Sequence, residues 1–73
     1  MNAVQKHSVT INGHRTSISL EREFYDELIT IADGRGIAFA ALVAEIDSTR
    51  PRATNLSSAL RLFVLAEVKR RSR

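Results

Sequence analysis

Arg15, Ser17 and Ser19 occupy alternate positions in Arg15-Thr16-Ser17-Ile18-Ser19-Leu20. That spacing predicts a strand, and period two puts all three on one face. Their chemistry is hydrogen bonding: a guanidinium with a fork of donors and two hydroxyls that donate or accept. Thr16, Ile18 and Leu20 form the opposite, apolar face. An ordinary sheet turns such a polar face to water. A β-ribbon that reads DNA turns it to the bases.

Other chemistry is scarce. The chain has no cysteine, so disulfides and thiolate metal sites are out, and the composition fits a reducing cytosol. His7 and His14 have no carboxylate at ligand spacing, so no metal and no cofactor are expected. No serine–histidine–carboxylate arrangement and no glycine-rich phosphate loop stand out, Gly34-Arg35-Gly36 lacking the spacing. An enzyme is not expected. The first residues lack the apolar core of a signal peptide, and no apolar run approaches a membrane span, so the expectation is a cytoplasmic protein without a membrane partner.

The polar strand has a partner in the sequence. Ser8-Val9-Thr10-Ile11 alternates in the same way, and Asn12-Gly13 joins the two as a type I′ hairpin turn, whose positive φ angles both residues tolerate. A two-residue loop sets Ile11 against His14, Thr10 against Arg15, Val9 against Thr16 and Ser8 against Ser17. One face then holds Val9, Ile11, Thr16, Ile18 and Leu20. The other holds Lys6, Ser8, Thr10, Arg15, Ser17 and Ser19.

Helices follow. Phe24, Leu28, Ile31 and Ala32 make a stripe in a first helix from about Arg22 to Asp33, with acids crowding its first turns and glycines stopping it. Phe39, Leu42, Val43 and Ile46 face inward from a second helix, about Phe39 to Ser48, which ends before Pro51. Asn55 caps a third, Leu56 to about Arg70. Its apolar residues (Leu56, Ala59, Leu60, Leu62, Phe63, Val64, Leu65, Ala66 and Val68) spread over more than one face, which predicts burial on several sides. A chain of 73 residues buries only roughly 60% of its unfolded surface. One subunit is too small to cover that helix, and a homodimer is expected.

The net charge of +3 is unevenly spread: residues 1–20 carry +2, residues 21–49 carry −5 and residues 50–73 carry +6. The hairpin and the C-terminus are the basic parts, as in proteins that gather cations for nucleic acid. The expected divisions are a flexible N-terminus (1–6), one domain (7–69) and a frayed basic tail (70–73).

Three blocks in this order resemble a known family: Gly13-His14-Arg15-Thr16-Ser17-Ile18-Ser19-Leu20-Glu21, then Leu42-Val43-Ala44-Glu45-Ile46-Asp47, then Asn55-Leu56-Ser57-Ser58-Ala59-Leu60-Arg61-Leu62-Phe63-Val64-Leu65. They are similar to the Arc- and MetJ-like ribbon-helix-helix proteins of bacteria, in a branch with an added N-terminal hairpin and a third helix. The resemblance covers about Lys6 to Val68. It implies an α+β, mostly α fold: a β-hairpin followed by three helices in an intertwined homodimer. A strand from each subunit would pair into a ribbon in the major groove of double-stranded DNA. By position, Arg15, Ser17 and Ser19 would touch bases, with arginine able to hold guanine O6 and N7 together. The second-helix N-terminus (Ala38, Phe39, Ala40) would hold a phosphate, with Lys6 and Arg35 as further contacts. The family opens that helix with a hydroxyl residue where this chain has Ala38, leaving the task to backbone N–H groups. The implied role is transcription regulation.

The hairpin opens an alternative. Two hairpins side by side make four strands, about 15–19 Å wide at about 4.8 Å per strand, against a groove of about 12 Å. Either the outer strand twists away, or the sheet serves a protein-interaction or antitoxin-like role with a protein partner.

Overall fold

The computed structural model describes residues 3–72. The order is β1 (Val4–Ile11), β2 (His14–Glu21), α1 (Arg22–Arg35), α2 (Phe39–Thr49) and α3 (Leu56–Arg71). Met1 and Asn2 of the segment 1–6, and Arg73 of the basic tail, lie outside the described residues.

The two strands form one antiparallel sheet in the register expected from the turn, with Val9 against Thr16 and Thr10 against Arg15. Asn12 and Gly13 both have positive φ, 51° and 79°, as a type I′ turn requires. β1 starts well before the alternating Ser8–Ile11 stretch, with polar Gln5 and His7 at the positions that alternate with Val9 and Ile11. His7 compensates by stacking on Tyr25 of α1, ring centroids 4.0 Å apart, although its Nε2 is enclosed without a hydrogen-bond partner. Tyr25 in turn meets the Phe39 ring at 5.1 Å. This aromatic chain ties β1 to α1 and to the start of α2.

Helix ends follow their local chemistry. Gly36 takes the left-handed conformation at φ 70° and closes α1, its N–H reaching back to the last turn. α2 ends at Arg50, extended as a residue before proline should be. Asn55 Oδ1 accepts from the Ser58 N–H at 2.9 Å and caps α3.

The core gathers Ile18 and Leu20 of β2, Leu28 of α1, Leu42 and Val43 of α2 and Leu60 of α3, all fully buried. The inner face of the hairpin covers it, with Val9 and Ile11 also buried. α2 lies beside β1 and α3 beside β2, so the sheet is straddled by two helices. α3 is the element that one protomer leaves least covered. In the single protomer it is covered on one side only, through Ala59, Leu60 and Val64, while Leu62 and Leu65 stay 60% and 48% exposed. α3 runs to Arg71, whose guanidinium pairs with Glu27 of α1 at 2.6 Å. Among the described residues, no helix is long and apolar enough to cross a membrane.

Candidate nucleic-acid interface

The hairpin turns one face to the helices and leaves the other open. Pairing places Lys6, Ser8 and Thr10 of β1 across from Ser19, Ser17 and Arg15 of β2, and cross-strand partners share a face. Arg15 and Ser17 are exposed, as are Lys6, Ser8 and Thr10. The expected site residues Arg15, Ser17 and Ser19 are thus brought onto one surface by strand geometry alone. Ser8 and Thr10, which alternation on β1 alone leaves as solvated residues, sit directly against Ser17 and Arg15.

Charge pairing is uneven across the molecule. Six arginines outside it each hold a carboxylate: Arg22–Asp26, Arg35–Glu45, Arg50–Asp47, Arg61–Glu21, Arg70–Glu67 and Arg71–Glu27. Among the described residues, Lys6 and Arg15 make no ion pair. Arg52 and Lys69, outside the hairpin, are likewise in no ion pair among the described residues; most of the helical body's charge is neutralised internally, and the open face of the hairpin keeps two unpaired cations.

Ser19 differs from its neighbours. It is half-buried, and its backbone is held by α3: the N–H donates to Ser57 Oγ at 2.9 Å, and the C=O accepts from Arg61 Nη2 at 3.0 Å. The same guanidinium donates through Nε to Glu21 Oε1 at 2.9 Å. That hydrogen bond, more than the charge of Arg61, holds the Glu21 carboxyl below its usual range; the residue's own backbone N–H adds to the effect, against partial desolvation. Ser57 and Arg61 lie some forty residues from the strand in sequence. No local pattern links them to it, and sequence reasoning gave them no role.

The expected phosphate contacts fare differently. Ala38 is the N-cap of α2, exposed and without a side-chain hydrogen bond. Phe39 puts its ring against Tyr25, and Ala40 is half-buried against the core. Only backbone N–H groups are left there to meet an anion, four of which have no acceptor within any helix. Arg35 is not drawn to the hairpin. Its Nη1 bonds Glu45 of α2 at 2.8 Å, and its guanidinium lies 5.7 Å from the centre of the Phe63 ring of α3.

A hairpin whose second strand feeds two glycine-separated helices matches the ribbon-helix-helix domain family over residues 4–68. The chain belongs to the ribbon-helix-helix family. Its members generally dimerise and bind DNA, as non-enzymatic modules with a fold of the DNA-binding-regulator type. No curated protein and no solved structure matches the chain. In this chain β2 leads directly into the helix pair, β1 pairs with β2 as a hairpin, and α3 follows the helix pair and packs on β2.

Proposed function

We propose that this ribbon-helix-helix protein is a homodimer that binds double-stranded DNA sequence-specifically through a β-ribbon, as a transcriptional regulator. The observation that carries the reading is the open hairpin face, where Arg15 and Lys6 stand free of carboxylates among exposed hydroxyls. Arg15 reads guanine through O6 and N7, and Ser17 and Ser19 adapt as donors or acceptors. Ser19 works from the edge of the site, since α3 covers part of it. Lys6 and the first N–H groups of α2, at Phe39 and Ala40 after the Ala38 cap, hold phosphates and set the orientation. Arg35 is omitted, because a phosphate would have to displace Glu45. The test is selection of duplexes from random DNA, followed by Arg15→Ala on the selected site. Each lost arginine–guanine pair costs about 1–3 kcal/mol; an unchanged affinity would refute the assignment.

One observation favours a second reading, a protein-interaction module on the same dimer. β1 pairs along the whole of β2, so a four-stranded ribbon of about 15–19 Å meets a groove of about 12 Å. That reading expects no DNA retention at low salt and a stable protein complex instead.

A further inference from the structure

Strand β2 and helix α1 meet without a loop, Glu21 ending one and Arg22 starting the other. Glu21 stands at the N-cap of α1, yet its side chain makes no capping bond to that helix. Its carboxylate accepts instead from Arg61 Nε at 2.9 Å, while Nη2 of the same guanidinium donates to the Ser19 C=O at 3.0 Å. Ser57, one turn earlier on the same face of α3, accepts from the Ser19 N–H at 2.9 Å. Three bonds from α3 thus grip both ends of Ser19-Leu20-Glu21. Leu20, between them, is fully buried, so the segment is held from its inner side as well.

A guanidinium is a planar fork with its donors in fixed positions. Bridging a backbone carbonyl and a carboxylate with that fork sets where β2 ends relative to α3. As an ion pair the contact contributes modestly to stability, because its side chains stay 29% and 31% exposed. Its larger effect is on position, and position matters most for short side chains. Arg15 is long enough to reach a base edge from a range of backbone placements. A serine hydroxyl sits one bond beyond Cβ, and it donates or accepts as its partner requires. Ser19 therefore carries base information only where its backbone is held, to within about 0.5 Å for a binding constellation.

We propose that Arg61 and Ser57 are positioning residues for DNA recognition: by fixing the backbone of Ser19 they make its hydroxyl selective for one base pair, while touching no DNA themselves. The proposal rests on the DNA-binding reading above and gives α3 a part in it. α3 then governs discrimination at the end of β2 nearest the helices, and leaves Arg15, near the turn, to its own reach. The charge of Arg61 is already balanced by Glu21; what Ser19 needs from it is the fork.

The test takes the duplex selected by the wild-type protein and a panel of duplexes each changed at one base pair. Affinities are followed by fluorescence anisotropy over a range of salt. Ser19→Ala identifies the base pair read by Ser19, and Arg15→Ala the one read by Arg15. Arg61→Gln should lower discrimination at the Ser19 base pair by about two- to tenfold, the worth of one hydrogen bond. Discrimination at the Arg15 base pair and the slope against log salt should stay as in the wild type. Added to Ser19→Ala, Arg61→Gln should cost nothing more at that base pair, since the side chain it positions is gone. Arg61→Lys keeps the charge and lacks the fork, and should behave as Arg61→Gln does. Ser57→Ala frees one backbone N–H and leaves the Arg61–Glu21 pair intact. It should show a smaller loss at the same base pair, and it keeps the readout if Arg61→Gln does not fold.

An equal loss of affinity for every duplex, with a flatter salt slope, makes Arg61 a phosphate contact and overturns the proposal. Discrimination unchanged in both Arg61→Gln and Ser57→Ala, or losses that add to that of Ser19→Ala, overturn it too. If Ser19→Ala alters discrimination nowhere, Ser19 reads no base, and the positioning role falls while DNA binding stands. A wild type that selects no duplex overturns the DNA-binding reading itself.

Discussion

Leu60→Ala tests whether α3 is part of the fold or an appendage to it. Leu60 is fully buried in the same cluster as Ile18 and Leu20 of the ribbon strand. Truncating such a leucine removes its transfer free energy and leaves a cavity, at a cost of about 2–5 kcal/mol. At about 0.05–0.15 kcal/mol per residue, the whole domain has about 4–11 kcal/mol to lose. A cost near 3 kcal/mol lowers the melting temperature by about 12–24 °C in a domain of this size. Leu62, two residues on, is 60% exposed; Leu62→Ala should stay within about 0.5 kcal/mol in dilute solution. Urea unfolding of both variants over a range of protein concentrations separates the two sites. A Leu60 cost below about 1 kcal/mol would refute the packing of α3 on β2. So would a Leu62 cost that matches it at every concentration.

Three further perturbations have defined outcomes. Gly36→Ala should destabilise by about 1–2 kcal/mol, because an alanine at this left-handed position is strained even though its Cβ meets nothing within 4 Å. Gly34→Ala, in open space inside α1, should instead be neutral or stabilise by about 0.4–1 kcal/mol, and thermal unfolding of the pair checks the sign difference. In Arg61→Gln, the pH profile of stability should change on its acid side. The Glu21 carboxyl is held below its usual range chiefly by the Arg61 hydrogen bond, so in the wild type that contribution is complete above the ordinary glutamate value of about 4.3. It is lost as the pH falls through the lowered folded value, and Arg61→Gln should flatten this window. An acid limb identical in the two proteins would contradict the Arg61–Glu21 contact.

Much of this fold is local and was legible for that reason. Asn12-Gly13 dictates a tight turn, the turn dictates the register, and the register dictates which side chains share a face. Gly36, Pro51 and Asn55 each mark a helix end through their own backbone or side-chain chemistry. The start of β1 was hidden because His7 occupies an inward position as a stacked ring, which no apolar alternation reveals. Arg35 looked available as a cation because its partners, Glu45 and Phe63, come from other helices. The hold of Ser57 and Arg61 on Ser19 was equally invisible, since it depends on how α3 docks and not on spacing. The candidate site follows the same division. Its face could be read from alternation, whereas its freedom from carboxylates and its partly capped edge are tertiary facts. The apolar excess of α3 pointed to burial on several sides, and one protomer covers only one of them.

The most direct test of DNA binding is the affinity of the wild-type protein for duplex DNA as a function of salt, followed by fluorescence anisotropy. Two copies bring Lys6 and Arg15 to the ribbon, about four cations without internal partners. Counterion release then gives a slope of log K against log salt near −3.6, or about 150-fold weaker binding between about 50 and 200 mM. Replacing both residues, Lys6→Gln with Arg15→Gln, should remove most of that slope. No retention of DNA at the lower salt, or a slope unchanged by the double replacement, would contradict the hairpin face as the DNA-binding surface.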